Sequence, residues 1–213
     1  MVLRRPDLRL LEGGSEGDEL PRSDEALIDA VQRGDHRVAD ELYDRLIEVV
    51  DHTLYRVFGR REPDHDDLVQ NVFEQIVRTL SRRSYARACS LRTWASTIAS
   101  HVGFNALRAR KRERRVIDRS PETDYEAVPP PADVERAVTA RSELEELRAA
   151  LSDMKPEQAQ AVFLHDVLGH ELAEIALMLH VSVSAAQSRL VRGRRELYRR
   201  IDRADNLRGR RPS

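Results

Sequence analysis

The sequence predicts an all-α protein built as two helical modules joined by a flexible linker, the second module ending in a helix-turn-helix. Three observations carry that expectation. Apolar residues recur at spacings of three and four along most of the 213-residue chain, no run alternates with period two for long enough to make a sheet, and one acidic, proline-bearing stretch interrupts the pattern. Forty per cent hydrophobic and 34% charged residues, with nine Gly and nine Pro, exclude collagen-like and wholly disordered classes.

Residues 1–22 are acidic, carry glycine and lack periodicity, so they read as a disordered tail. From Ser23 the pattern changes. Ala26, Leu27, Ala30 and Val31 predict a short helix that Ser23 or Asp24 can cap and Gly34 can end. Asp35 can cap a longer one, along which Val38, Leu42, Leu46, Val49, Val50, Leu54 and Val57 form a stripe that stops at Gly59. Pro63 and Asp64 open a third helix, with Leu68, Val69, Val72, Phe73, Ile76, Val77 and Leu80 on its apolar face. The stripe lapses over residues 81–90 and returns at Leu91, Trp94, Ala95, Ile98, Ala99, Val102 and Leu107, bounding a first module at 23–115.

Residues 116–138 form the linker, acidic and bearing three consecutive prolines that favour an extended chain. A second module follows at 139–203. Leu144, Leu147 and Leu151 mark one helix, and Pro156 starts another with Ala159, Val162, Phe163 and Val167, broken by Gly169. Leu172, Ile175, Ala176 and Leu179 make a compact helix, a turn passes through residues 180–182, and a last helix follows. Residues 204–213 are a basic tail.

A net charge of −1 conceals strong segregation. Residues 105–119 and 184–203 each hold seven Arg or Lys against two acids, whereas 12–29 hold seven acids against one Arg, and 62–74 hold five acids and no base. Such a chain suits contact with both an anion and a basic protein surface. Catalysis is not expected. The histidines, among them His165, His170 and His180, are scattered, HELAE at 170–174 is not the HExxH zinc pattern, and no phosphate-binding loop or nucleophile elbow is present. No metal site and no cofactor are expected. The lone Cys89 cannot close an intrachain bridge, no stretch reaches the ~20 apolar residues of a membrane span, and the first residues lack a signal-peptide core. A cytoplasmic protein without membrane insertion is the expectation.

In a helix-turn-helix the second helix enters the major groove. With Val183, Ala186, Leu190 and Leu197 facing inward, helical geometry turns Ser184, Gln187, Ser188, Val191, Arg192 and Arg195 outward. Arg192 can fork onto guanine and Gln187 can pair with adenine, each good bidentate pair being worth about 1 to 3 kcal/mol of discrimination. Arg189, Arg194 and Arg199 suit phosphates. On the third helix Asp67, Gln70, Asn71 and Glu74 make an acid-amide stripe beside the apolar face.

Three segments together, DDLVQNVFEQIV at 66–77, TWASTIASHVGFNALRARKR at 93–112 and the stretch from KPEQ at 155 to RREL at 197, resemble the extracytoplasmic-function (ECF) group of bacterial sigma factors, in the family's order. The resemblance covers about residues 24–203. It implies binding to core RNA polymerase, with the stripe Asp67, Gln70, Asn71 and Glu74 against the largest-subunit clamp, and direction of the polymerase to promoters. It implies that the last helix reads the duplex at the minus-thirty-five element and that residues 81–112 melt the minus-ten element and hold the non-template strand. There Tyr85 and Trp94 are the aromatic candidates for base stacking, with Tyr85 favoured because Trp94 also fits the apolar stripe. His101, Asn105, Arg108, Arg110, Lys111 and Arg112 are the gripping residues. The family commonly has Asn at the position of His101, Asp at that of Asn105, and Lys or Arg at that of Gln187, departures that bear on promoter sequence rather than on class of activity. The resemblance also implies an anti-sigma protein as partner and a linker threaded towards the RNA path. A helix-turn-helix regulator acting without being a polymerase subunit is the alternative.

Overall fold

The computed structural model of the chain describes residues 22–87, 89–117 and 132–208. Most of the expected N-terminal tail, residues 118–131 of the linker and residues 209–213 lie outside the described residues. Every regular element among the described residues is helical.

Helix α1, Asp24–Gln32, begins where the Ser23 hydroxyl accepts the Ala26 N–H, and the chain leaves it through Gly34 at φ 78°. Asp35 caps a single 3₁₀ turn, His36–Val38, that runs straight into α2, Ala39–Phe58. Gly59, at φ 72°, ends α2 in the left-handed conformation that glycine alone adopts without cost. Helix α3 spans His65–Ser81 and α4 spans Leu91–Ile117. Leu42, Leu46, Val50 and Leu54 of α2 are buried with Leu68, Val72, Ile76 and Leu80 of α3 and Leu91, Ala95, Ala99 and Val102 of α4. Each buried Leu or Val contributes about 1.5–3 kcal/mol against exposure, more than the ~1 kcal/mol of a cap, so this seam holds the first module. Val77, expected in the stripe, is 42% exposed: it stands at the edge of the apolar face, beside the acid-amide stripe.

The second module begins earlier than expected. Helix α5, Ala132–Ser152, takes in the last residues of the expected linker, and α4 holds residues 116–117. Helix α6, Pro156–Val162, opens on its proline and widens into a π turn over Phe163–Val167, where the Leu168 N–H reaches the Phe163 carbonyl, before Gly169 breaks it. Helix α7, Leu172–Met178, and α8, Val183–Arg208, complete the helix-turn-helix. The last helix continues through residues 204–208, the first part of the expected tail. Gly193 lets α8 lie directly on α6, since a Cβ there would stand 2.9 Å from the Gln158 carbonyl oxygen.

The two modules are not separate bodies. A single apolar cluster runs from Leu27 through Val102 and Phe104 to Met154, Val162, Phe163 and Leu190, and the rings of Phe104 and Phe163 meet edge to face at 5.2 Å.

Candidate nucleic-acid interface

Helix α8 is set up by the turn before it. Residues 170–174 lead into α7. Glu171 is the N-cap of α7, and the Glu174 carboxylate accepts the Glu171 N–H at 3.0 Å in a capping box. Among the described residues no group of three or more His, Cys, Asp or Glu is placed to hold a metal. Ser182 then caps α8 by accepting the Ala185 N–H at 3.2 Å.

Ala186 and Leu190 are buried and Leu197 packs on the core, as expected. Val183 is not: it is 50% exposed, because it occupies the first position of the helix, ahead of the face that meets the core. Ser184, Gln187, Ser188, Val191, Arg192 and Arg195 all face solvent, and Arg189 is half-buried. Among the described residues Arg189, Arg192 and Arg195 have no ion-pair partner. Arg194 differs. It pairs with Asp166, at 2.9 Å through Nε, and with His165, and its hydrogen bond holds the Asp166 carboxyl below the usual carboxylate range. Arg199 and Arg200 pair with Glu196 of their own helix.

Helix α4 presents three faces. One joins the first-module core. A second, exposed, carries His101, Asn105 and Arg112, where the Asn105 amide lies 3.3 Å from the His101 ring and accepts from Arg108 Nη1 at 3.3 Å. Local desolvation, and then the Arg108 charge, hold His101 below the ordinary imidazole value. The third face, Thr97, Ser100, Phe104, Arg108 and Lys111, meets the second module. Gln160 Nε2 donates to the Thr97 carbonyl at 3.3 Å and the Ser100 hydroxyl at 3.4 Å, Thr97 contacts Met178, Arg108 Nε donates to the Ser152 carbonyl at 3.2 Å, and Lys111 pairs with Asp153 at 2.6 Å. Arg110 pairs with Glu62 at 3.0 Å and with Asp64, over the Phe58 ring.

Tyr85 and Trp94 do not offer open rings. They are 7% and 6% exposed, their rings meet tilted by 37° with centroids 4.6 Å apart, and the Tyr85 hydroxyl donates to the Cys89 carbonyl. Burial pushes the Tyr85 phenol up to about 12. The expectation that Tyr85, as a loop residue, presents its ring to a base fails for a physical reason: the loop folds back over the start of α4. The same loop exposes Arg82 and Arg83, which have no ion-pair partner among the described residues and which the sequence reading passed over. Their adjacent cations after the last apolar residue of α3 were the available signal. The interface residues Phe104, Gln160 and Asp153 were also missed, although Thr97, Ser100, Phe104, Arg108 and Lys111 recur at spacings of three and four as a second stripe.

On α3, Asp67, Gln70, Asn71 and Glu74 are all exposed in one stripe, with Gln70 donating to Glu74 at 3.3 Å.

Residues 42–113 match the family described as Sigma-70 region 2, and residues 144–197 the one described as Sigma-70, region 4. The chain is 31% identical over 195 residues to the ECF RNA polymerase sigma factor SigE of Mycolicibacterium smegmatis, covering 88% of this chain and 72% of that one. It is 30% identical over 187 residues to the ECF RNA polymerase sigma factor SigM of Mycobacterium tuberculosis, covering 86% and 87%. Among solved structures, CnrH in complex with the cytosolic domain of CnrY aligns with a TM-score of 0.48 and 22% identity, over 84% of this chain and 97% of that one.

Proposed function

The chain belongs to the ECF sigma factors of RNA polymerase, and from that premise we propose how its surfaces divide the work of binding core polymerase and directing promoter-specific initiation. The α3 stripe of Asp67, Gln70, Asn71 and Glu74 docks on the clamp of the largest polymerase subunit. Helix α8 enters the major groove at the minus-thirty-five element. Arg192 reads guanine, Gln187 reads adenine, Val191 packs on a thymine methyl, Ser184 and Ser188 lie along the groove, and Arg189 and Arg195 hold phosphates. The exposed face of α4, with His101, Asn105 and Arg112, grips the melted minus-ten strand, and Arg82 and Arg83 extend that path. Bond formation remains the polymerase's chemistry, and the protein acts in the cytoplasm, where an anti-sigma protein restrains it.

The observation that supports this reading best is the solvent face of α8, where cations without internal partners surround Arg192 above buried Ala186 and Leu190. Run-off transcription with purified core polymerase tests it. Promoter-directed initiation that requires this protein is expected, and DNA binding without any stimulation of initiation would overturn it in favour of a free-standing helix-turn-helix regulator.

A further inference from the structure

We infer that Arg110 is a positioning residue for polymerase docking: from α4 it fastens the connection between α2 and α3 and so sets the first turn of α3, where the acid-amide stripe begins. The inference rests on the sigma-factor reading for the identity of the docked partner, and on the geometry around Arg110 for the rest.

The Arg110 guanidinium touches three successive parts of the chain. It lies 4.7 Å from the ring centroid of Phe58, the last residue of α2, pairs through Nη1 with Glu62 at 3.0 Å, and donates through Nη2 to Asp64. The Glu62 side chain is only 9% exposed and is also held by Arg60 at 2.6 Å, so a carboxylate nearly out of water sits between two arginines. A planar fork that reaches two carboxylates while its face covers a ring is a geometry that arginine supplies and lysine does not.

Asp64 shows what this grip does to α3. It occupies the N-cap position, where an aspartate ordinarily takes extended backbone and accepts an N–H of the first turn. Ser23 does so at the start of α1, with ψ 159° and its hydroxyl on the Ala26 N–H. Asp64 instead has ψ 24° and makes no cap bond, its carboxylate being turned onto Arg110. The His65 N–H goes to the Glu62 carbonyl at 3.1 Å, and the buried His65 ring lies 2.7 Å from Asp51 of α2. The start of α3 is thus held by α4 through Asp64 and by α2 through His65. Asp67 stands three positions beyond Asp64, and Gln70, Asn71 and Glu74 follow on the same helix. A binding constellation keeps its affinity when the residues beneath it are locked by packing and hydrogen bonds. Without Arg110, Asp64 is released to swing to extended backbone and cap α3, which re-aims the first turn and the stripe with it.

Core polymerase binding by the full-length chain tests the inference. Arg110→Ala should weaken it by about tenfold, the worth of one hydrogen bond to a charged group. Arg110→Lys, which keeps a charge for Glu62 but cannot span both carboxylates, and Asp64→Asn, which removes the charge that Arg110 holds, should weaken it in the same sense. Because Arg110 acts through the stripe, its effect should shrink in an Asp67→Ala background, a coupling that general loosening of the fold does not produce. Equal losses in both backgrounds, or unaltered binding by Arg110→Ala, overturn the inference. A second measurement needs no polymerase. Amide hydrogen exchange at Asp66 or Asp67 should slow in Arg110→Ala as Asp64 caps the helix, and should not slow in Arg110→Ala/Asp64→Ala, whereas loosening would speed it. Exchange that is unchanged or faster in Arg110→Ala overturns the inference. If the unaltered chain fails to bind core polymerase, it is the sigma-factor reading that falls, while the amides still decide whether Arg110 sets α3.

Discussion

Residues 105–119 and 184–203 have the same charge inventory, seven basic residues against two acids, yet the fold treats them differently. In α4, Arg110 and Lys111 are held by Glu62, Asp64 and Asp153, and Arg108 by a carbonyl of the other module. In α8, Arg189, Arg192 and Arg195 have no ion-pair partner among the described residues, while Arg194 is paired with Asp166. Charge count sets the potential of a segment at long range, and the presence of an internal carboxylate within ~4 Å decides whether a given cation is available at contact.

That contrast can be broken in several ways. The largest effect is expected at the place where both regions depend on one side chain. Phe163→Ala empties a fully buried site between α4 and the second module, and a loss of about 3–5 kcal/mol of stability is expected in chemical denaturation. A loss under about 1 kcal/mol would show that the modules do not share a core. Next, Arg192→Ala is expected to cost about 1–3 kcal/mol of discrimination at one base pair, read by competition between promoter fragments, with core polymerase binding unchanged. Unaltered promoter preference would remove Arg192 from the groove.

The sharpest comparison is between two single arginines. Arg195→Ala should lower the logarithmic salt slope of duplex binding by about 0.9, one phosphate contact, whereas Arg110→Ala should leave the slope where it is because Glu62 and Asp64 already hold that charge. Equal changes would refute the distinction between the tracts.

The smallest effect is a pH dependence. Burial holds His170 below its ordinary value of 6.5, partly offset by Glu174, so the folded chain keeps it neutral. As pH falls below 6.5 the unfolded chain takes up this proton first. The contribution of His170 to stability is thus fully present above that pH, is lost as pH falls towards the lowered folded value, and is level beneath it. Thermal melts between pH 7.5 and 5.5 should show a fall that His170→Gln reduces, and an identical pH profile for the variant would remove His170 as a contributor.

Much of this molecule was legible before any coordinates. Ser23, Gly34, Gly59, Pro156 and Gly169 mark element ends where local backbone chemistry decides, and the stripes of α2, α3 and α4 announce their buried faces. The reading faltered at edges and in loops. Val77 and Val183 are apolar but sit where their helix has no neighbour, and Tyr85 is a loop residue drawn into the core by Trp94. Periodicity reports that a face is apolar, not how far the surface opposite it extends.

The sequence by itself determined the helical class, the order of the helices, the outward face of α8 and the acid-amide stripe of α3, because each follows from contacts within a turn or two of chain. Only the tertiary structure decided that the two modules share a core, that Lys111 meets Asp153, and that α4 has a covered face as well as an open one. Those outcomes depend on which surfaces far apart in the chain exclude water from each other, and no spacing along a single helix encodes its partner.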